Sequence, residues 1–316
     1  MNQNSVPTLS IVIVTSNTRE LLRNCLTSVF EHAKGLEREV IVVDNNSTDG
    51  TAEMVRTVFP SVKLICNKEN LGFSKGNNQG FAASSGRYIL ALNSDTIVPD
   101  STIPVVVRFM DEHPEAAAVG CRTVNAEGAL QLTYERFPTL LSDLFYTTWL
   151  NRLFAHNVGT DRGGYLEVDW VQGSFLMLRR AAVEKVGFFD EIYSPAYSEE
   201  TDLCYRLKRA GWLTYYVSTV AIVHLGGGTT KSNETWHFLQ LHRSKFLFFK
   251  KHRGALYAHT FRYLRASLCL VRVVLLAGSL TLKLGQSEDA KKRLNIQWRL
   301  FRFLLDPRLR LPDSSR

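Results

Sequence analysis

The 316-residue chain has no Cys-x-x-Cys pair, and its five cysteines, Cys25, Cys66, Cys121, Cys204 and Cys269, are scattered and odd in number. Neither a disulfide framework nor a zinc knuckle is supported, and a reducing, cytoplasmic setting is expected. No glycine precedes Gly35, so the loop from Thr15 to Glu20 is not the glycine-rich turn of a dinucleotide-binding fold. The absence of any Gly-Lys pair removes the P-loop, and no His-Glu-x-x-His zinc motif is present. The amino terminus, MNQNSVPTLS, lacks a basic region and leads into only a short apolar run, Ile11 to Val14, which reads as a strand and not a signal peptide. Within the apolar stretch Ser267 to Leu284, Arg272 interrupts and the longest charge-free run is Val273 to Leu282, which reads as too short to span a bilayer about 30 Å thick.

What is present divides unevenly. The chain is 45% hydrophobic, enough for a substantial core, and one large domain over residues 1–235 with a helical region over 236–316 is expected. From Gln240 onward there are 17 Lys and Arg against 4 Asp and Glu, whereas the rest carries 21 against 26. A basic tail on a mildly acidic body implies an anionic partner, membrane or nucleic acid. Its cations accompany long aliphatic runs and no nucleic-acid motif is present, which favours an anionic membrane surface and no nucleic acid. Leu294, Trp298, Phe301 and Leu305 recur on one helical face beside Lys291, Lys292, Arg293, Arg299 and Arg302. That pattern suits a helix lying in a membrane interface, or a basic amphipathic helix packed on the domain itself.

The first half alternates strand and helix patterns. Leu9 to Val14, Val40 to Val43, Val62 to Cys66 and Tyr88 to Leu92 read as strands, with helices around Leu21 to Phe30, Met54 to Val55 and Lys75 to Ser84 between them. This predicts an α/β layer fold with a mostly parallel central sheet flanked by helices. Thr123 to Asp169 is less regular and is expected to form loops and short elements covering the active-site face. Val168 to Leu178 reads as one strand, Thr201 to Ala210 as a helix ended by Gly211, and Leu213 to Val217 and Val220 to Val223 as two further strands that deliver His224 into a glycine run.

Two acidic groups are placed where chemistry would need them. The strand Tyr88 to Leu92 ends in Asn93, Ser94 and Asp95, and open parallel sheets present ligands at the carboxyl ends of their strands. Asp95 is a candidate metal ligand, or it begins the turn before Pro99 and caps the helix after Asp100. Glu199, Glu200 and Asp202 suit proton transfer, or are first-turn acids complementing a helix dipole.

Seven segments then stand in a telling order: SIVIVTSN from Ser10, VIVVDNNSTDGT from Val40, NLGFSKGNNQG from Asn70, ILALNSDT from Ile89, WVQGSFLMLRR from Trp170, FDEIYSPAYSEETDLCYRLKRAGW from Phe189 and HLGGGT from His224. In these the chain resembles the inverting glycosyltransferases of family 2, with their GT-A fold, over about residues 9–235. NLGFSKGNN and LNSDT look most like the rhamnosyltransferase branch. The resemblance implies a metal-dependent hexosyltransferase of polysaccharide synthesis, moving a sugar such as rhamnose from a dTDP- or UDP-sugar to a lipid-linked or glycan acceptor, peripherally on the inner face of the membrane. It implies that Thr15, Asn17 and Asp44 line the base and ribose pocket, and that Asn70, Gly72, Phe73, Gly76 and Asn78 form the segment over ribose and donor sugar. The family's Asp-x-Asp reads here as Asn93, Ser94, Asp95, which makes Asp95 the direct ligand of Mg²⁺ or Mn²⁺ with Asn93 assisting. His224 either completes that metal shell or is a packing residue. Glu200 corresponds to the general base, with Glu199 and Asp202 as weaker candidates, and Trp170 and Gly173 wall the acceptor site. Because the Asp-x-Asp is incomplete, a catalytically silent nucleotide-sugar-binding or assembly protein of the same fold is the alternative.

Overall fold

Strand β1 (Leu9–Thr15) turns Leu9, Ile11 and Ile13 to one face of the sheet and Val12 to the other, and all four are fully buried. A strand covered on both faces carries a continuous apolar run, so this segment builds the middle of a parallel sheet. The computed structural model describes residues 7–33, 35–99, 101–146, 164–226, 234–281 and 288–311. In chain order β1 is followed by α1 (Arg19–His32), β2 (Arg38–Asp44), α2 (Thr51–Val58), β3 (Lys63–Cys66), α3 (Gly72–Ala82), β4 (Tyr88–Asn93) and β5 (Thr96–Ile97). Then come α4 (Thr102–Glu112), β6 (Ala116–Val124), β7 (Tyr134–Glu135), α5 (Leu140–Tyr146), β8 (Tyr165–Val168), β9 (Trp170–Val171), β10 (Phe175–Arg179), α6 (Arg180–Val186), α7 (Glu199–Arg209) and β11 (Leu213–His224). The carboxyl-terminal region contributes α8 (Glu234–Arg253), α9 (Ala255–Thr281) and α10 (Glu288–Leu305).

Among the described residues nine strands form one sheet in the order β3-β2-β1-β4-β10-β6-β11-β5, with β8 also on β11. The block β3-β2-β1-β4 is parallel throughout; β10 runs antiparallel between β4 and β6, and β6 pairs parallel with β11. Helices α1, α2 and α4 cover one face through Leu22, Cys25, Leu26, Met54, Val55, Ile103, Val106 and Met110. Helices α3, α6 and α7 cover the other through Phe81, Ala182, Val183, Leu203, Cys204 and Leu207. The carboxyl ends of β1, β2 and β4 therefore open on one rim, where Thr15, Asp44 and Asn93 stand.

The structure differs from the sequence expectations in four places. The single strand expected over Val168 to Leu178 is broken into β8, β9 and β10, because residues 172–174 leave the sheet. The two strands expected at 213–217 and 220–223 are one, β11, with a bulge between Val217 and Ala221. Strand β6 went unread: its Ala-Ala-Ala-Val start has low strand propensity and no alternation, yet it is buried between β10 and β11. Helix α9 is longer than the charge-free run suggested, and over Ala255–Leu280 it is long and apolar enough to cross a membrane by length and composition. Asp100, residues 147–163 of the expected covering segment, and Gly227 to Thr229 of the glycine run lie outside the described residues.

The chain divides into two compact units, Met1–Phe137 with Ala155–Thr229, and Pro138–Phe154 with Thr230–Arg316. Among its described residues the second has only helices as regular elements, and it includes α5, which the expected boundary at residue 235 assigned to the first domain. Its interior holds Phe248, Phe249, Phe261, Leu300, Phe303 and Leu304, and a buried polar group among them. Asp143 accepts from Lys245 at 2.7 Å and lies 4.0 Å from Arg265, while Arg265 donates to His242 Nε2 at 3.1 Å. Burial opposes the Asp143 charge, but Lys245 and Arg265 outweigh it and hold the carboxyl below its usual range. Burial, then the Arg265 and Lys245 charges, push His242 down to about 3, so its ring is neutral and accepts the guanidinium proton. On α10 the stripe Leu294, Trp298, Phe301 and Leu305 is not the packed face: Leu300, Phe303 and Leu304 are buried, whereas Trp298 and Leu305 are exposed.

Candidate active site

Asp95 lies in the two-residue turn between β4 and β5, and its backbone carbonyl accepts from Leu225 N–H at 2.9 Å. That bond and the pairing of β5 with the end of β11 bring His224 to the carboxylate, Nε2 to Oδ1 3.2 Å. The Asp95 side chain is thus turned to a histidine, and Ser101 occupies the N-cap position of α4. Gln131 fixes the imidazole: its Oε1 lies 2.9 Å from His224 Nδ1, and its Nε2 donates to the His224 carbonyl at 3.3 Å. With Nδ1–H donating to Gln131, the Nε2 lone pair faces Asp95 Oδ1, and Asn93 Nδ2 stands 3.4 Å from the same nitrogen. Two electron-rich atoms 3.2 Å apart need a proton or a cation between them, and that spacing matches adjacent ligands on an octahedral ion with bonds of about 2.1 Å. Among the described residues no group of three or more His, Cys, Asp and Glu that could hold a metal ion gathers.

On the opposing element, Tyr197 and Ser198 both take left-handed φ (78° and 70°) and start α7 sharply at Glu199 and Glu200. Non-glycine residues in that region cost about 1–3 kcal/mol each and persist where surrounding structure imposes them. Gly173 N–H donates to Glu200 Oε1 at 3.1 Å, and a Cβ at position 173 would sit 2.6 Å from that oxygen. Any larger residue there would displace the end of the Glu200 side chain. Burial raises the Glu200 pKa above the usual carboxylate value, against the lowering effect of its own N–H and that of Gly173. Glu199 is raised further, by burial and then by the Glu200 charge, and its Oε2 is buried without a hydrogen-bond partner. A buried oxygen with no donor suits the neutral acid. Asp202 is fully buried, accepts from Tyr193 OH at 3.1 Å and pairs with Arg206 at 2.7 Å. Arg206 in turn donates to the carbonyls of Val186, Gly187 and Phe188, so this carboxylate anchors the loop after α6.

One dipeptide joins the two acidic sites. Gly173 holds Glu200, while the carbonyl of its neighbour Ser174 accepts from Asn93 N–H at 3.2 Å and from Thr96 Oγ1 at 3.5 Å, on either side of Asp95. Phe73 of α3 closes on the same spot, its ring edge 3.1 Å from where a Gly173 Cβ would be. Trp170, three residues upstream, is fixed by Nε1–H to the Arg136 carbonyl at 3.2 Å and by the pairing of β9 with β7.

The expected donor residues divide by what already engages them. Asp44 is buried and takes both Ser47 donors on Oδ1, leaving Oδ2 without a hydrogen bond among the described residues. Thr15 Oγ1 lies 2.6 Å from Thr18 Oγ1, which reaches Ser94 Oγ at 3.1 Å, so a hydroxyl chain ties β1 to the Asp95 turn. Asn17 is committed to Thr48, and Asn78 pins both backbone groups of Phe189. Asn70 accepts from Gly72 N–H and reaches Ser16 at 3.4 Å. Gly72 (φ 79°) is needed because a Cβ would meet Pro195 Cα at 2.7 Å; the close approach is to the segment that leads into α7. Gln131, Ser174 and Pro195 were missed by sequence reasoning, since each acts through its backbone or from an irregular loop.

This fold and this pair of sites define a GT-A type sugar-nucleotide transferase architecture. The family model of glycosyl transferase family 2 matches residues 10–187, more than half of the chain, and the chain belongs to that family. It is 28% identical over 293 residues to the N-acetylglucosaminyl-diphospho-decaprenol L-rhamnosyltransferase of Mycobacterium tuberculosis, covering 86% of this chain and 94% of that one. It is 27% identical over 165 residues to the rhamnosyltransferase WbbL of Escherichia coli, covering 48% and 60% respectively. In fold it is similar to the mannosyltransferase PcManGT from Pyrobaculum calidifontis, solved with GDP-Man and Mn²⁺ (TM-score 0.53, 17% identity, 94% of this chain and 86% of that one). GalNAc-T7, solved with UDP, GalNAc and Mn²⁺, is similar as well (TM-score 0.54, 14% identity, 71% of this chain and 45% of that one). The chain is a glycosyltransferase with rhamnosyltransferase relatives.

Proposed function

We propose that this glycosyltransferase is an inverting enzyme that moves rhamnose from a dTDP- or UDP-linked donor to a lipid-linked acceptor, and that it works at the cytoplasmic face of a membrane with Mg²⁺ or Mn²⁺. The observation that carries this reading is the Gly173–Ser174 dipeptide, which holds Glu200 on one side and the Asp95 turn on the other. The rhamnosyltransferase relatives, one with a lipid-diphosphate acceptor in its name, support the choice of sugar and acceptor class.

Asp95 and His224 would hold the divalent cation, which supplies positive charge against the diphosphate leaving group. Asp44 Oδ2 accepts the ring N–H of a pyrimidine base, and Asn93 bonds to sugar or bound water. Glu200, held by Gly173 N–H, takes the proton of the acceptor hydroxyl as its oxygen attacks the anomeric carbon from the side opposite the diphosphate. The new glycosidic bond forms while the bond to the diphosphate breaks, so the configuration inverts. Burial brings the pKa of Glu200 closer to working pH, which makes it a better base than an exposed carboxylate.

The test is a donor panel. Purified protein with Mg²⁺ or Mn²⁺, a set of nucleotide sugars and a polyprenyl-diphosphate acceptor is expected to release nucleoside diphosphate from dTDP- or UDP-rhamnose and to stop on chelation. Tight donor binding without release under any acceptor and metal would instead identify a silent nucleotide-sugar-binding protein.

A further inference from the structure

Helix α9 buries two arginines among Ala258, Phe261, Ala266 and Cys269 and leaves aliphatic side chains outside. Its two best-buried side chains with charge, Arg262 (3% exposed) and Arg265 (4%), point inward, Arg262 to the Leu304 carbonyl at the end of α10 and Arg265 to His242 and Asp143. Its outer surface is built by Leu256, Thr260, Tyr263, Leu264, Ser267, Leu270, Val271, Val274 and Leu275, with no charged residue among them. Leu256 is 84% exposed and Leu275 67%, and Leu270, Val271, Val274 and Leu275 form an exposed aliphatic face beside the half-buried Arg272. In water a helix is arranged the other way, with aliphatic side chains inward and guanidinium groups outward. A partner that is itself apolar explains the arrangement.

The neighbouring helix states what kind of apolar partner. The bond from Arg262 to Leu304 sets α10 antiparallel against α9, and α10 exposes Lys291, Lys292, Arg293, Arg299 and Arg302 together with Trp298. An uncharged aliphatic face beside a cationic one matches the boundary of an anionic lipid layer, with acyl chains under the first and headgroups against the second. The hairpin does not cross the layer, since five exposed cations on the partner helix would enter hydrocarbon with it. We propose that the α9 face Leu270, Val271, Val274 and Leu275 inserts into the outer part of one anionic lipid monolayer, in plane, while the α10 cations bind its headgroups. The proposal rests on the membrane reading given above and not on the transfer chemistry.

The test is flotation of the full chain with vesicles of phosphatidylcholine and phosphatidylglycerol, at low salt and at about 0.5 M NaCl, where charge attraction is screened. Wild type is expected to float under both conditions. The double variant Val271→Gln, Leu275→Gln, checked for folding by circular dichroism and gel filtration, is expected to float at low salt through α10. At high salt its vesicle partitioning should fall by about tenfold or more, the scale set by removing buried aliphatic surface. Wild type that never floats would end the membrane reading altogether. A double variant that floats at high salt like wild type would overturn the α9 assignment while leaving membrane binding intact. A wild-type dimer without lipid that becomes monomeric in the variant would overturn it too, by showing the face to be a contact between copies.

Discussion

The two units of this chain solve opposite problems with the same residue types. In the first, aliphatic side chains fill both faces of a sheet, and carboxylates stand at strand and helix ends, where Asp95 lies beside His224 and Glu200 accepts from Gly173 N–H. In the second, Asp143, Lys245, Arg262 and Arg265 lie inside and Leu270, Val271, Val274 and Leu275 of α9 lie outside. On the proposed reading, Asp95 and Glu200 of the first unit are placed for chemistry, while its Asp202 is matched by Arg206; in the second unit Asp143 is matched by Lys245 and Arg265, and the outer face of α9 stays uncharged.

The comparison breaks first, if it breaks, at the carboxylates. Asp95→Ala and Glu200→Gln are each expected to lower kcat/KM for transfer by about 10²–10⁴-fold while leaving the melting curve in place, whereas unchanged turnover would remove that residue from the site. In the helical unit, Asp143→Ala strands Lys245 and Arg265 in a buried setting and is expected to cost about 3–5 kcal/mol in urea denaturation. If the midpoint does not move, the internal charges are not matched in the way described. Gly173→Ala pushes on Glu200 Oε1 from 2.6 Å and is expected to reduce kcat by about 10²-fold with little change in donor KM. A drop confined to donor binding would assign Gly173 to the nucleotide side.

Glu199→Gln gives the smallest effect and sharpens the contrast between the paired acids. The variant reproduces the neutral acid, so kcat/KM and its acid limb, which the raised pKa of Glu200 sets above 4.5, are expected to stay in place. The sign for stability follows from the raised folded pKa of Glu199. Wild type loses this contribution as pH rises from the unfolded carboxyl value through the folded one, and the Gln variant does not. Thermal melts across that range check it, and identical pH slopes in the two proteins would show Glu199 to be ionised at no cost.

The parallel block β3-β2-β1-β4 was legible because each strand is an apolar run closed by turn residues, and the alternation with helices fixes their class. The Asp95 and His224 pairing was legible only through the family resemblance, since 129 positions separate the two in sequence and the pairing of β5 with β11 and the Leu225 bond bring them together. What sequence could not show is which polar groups the fold has already engaged. Asn17, Asn70, Asn78 and Asp202 look alike on paper, and Thr48, Gly72, Phe189 and Arg206 engage them in turn. Likewise the α10 stripe was visible as a period of helical spacing, which says that a face exists and not whether protein covers it.

The central claim is that the Asp95 turn and Glu200 are two sides of one site held by Gly173 and Ser174. The most direct measurement is a crystal structure with Mn²⁺ and a nucleoside diphosphate, with the metal located by its anomalous signal. The account predicts the peak bonded to Asp95 Oδ1 and His224 Nε2, with the diphosphate on the metal and the Glu200 carboxylate facing the space beyond it. Manganese bound elsewhere, or a nucleotide seated away from Glu200, would contradict it.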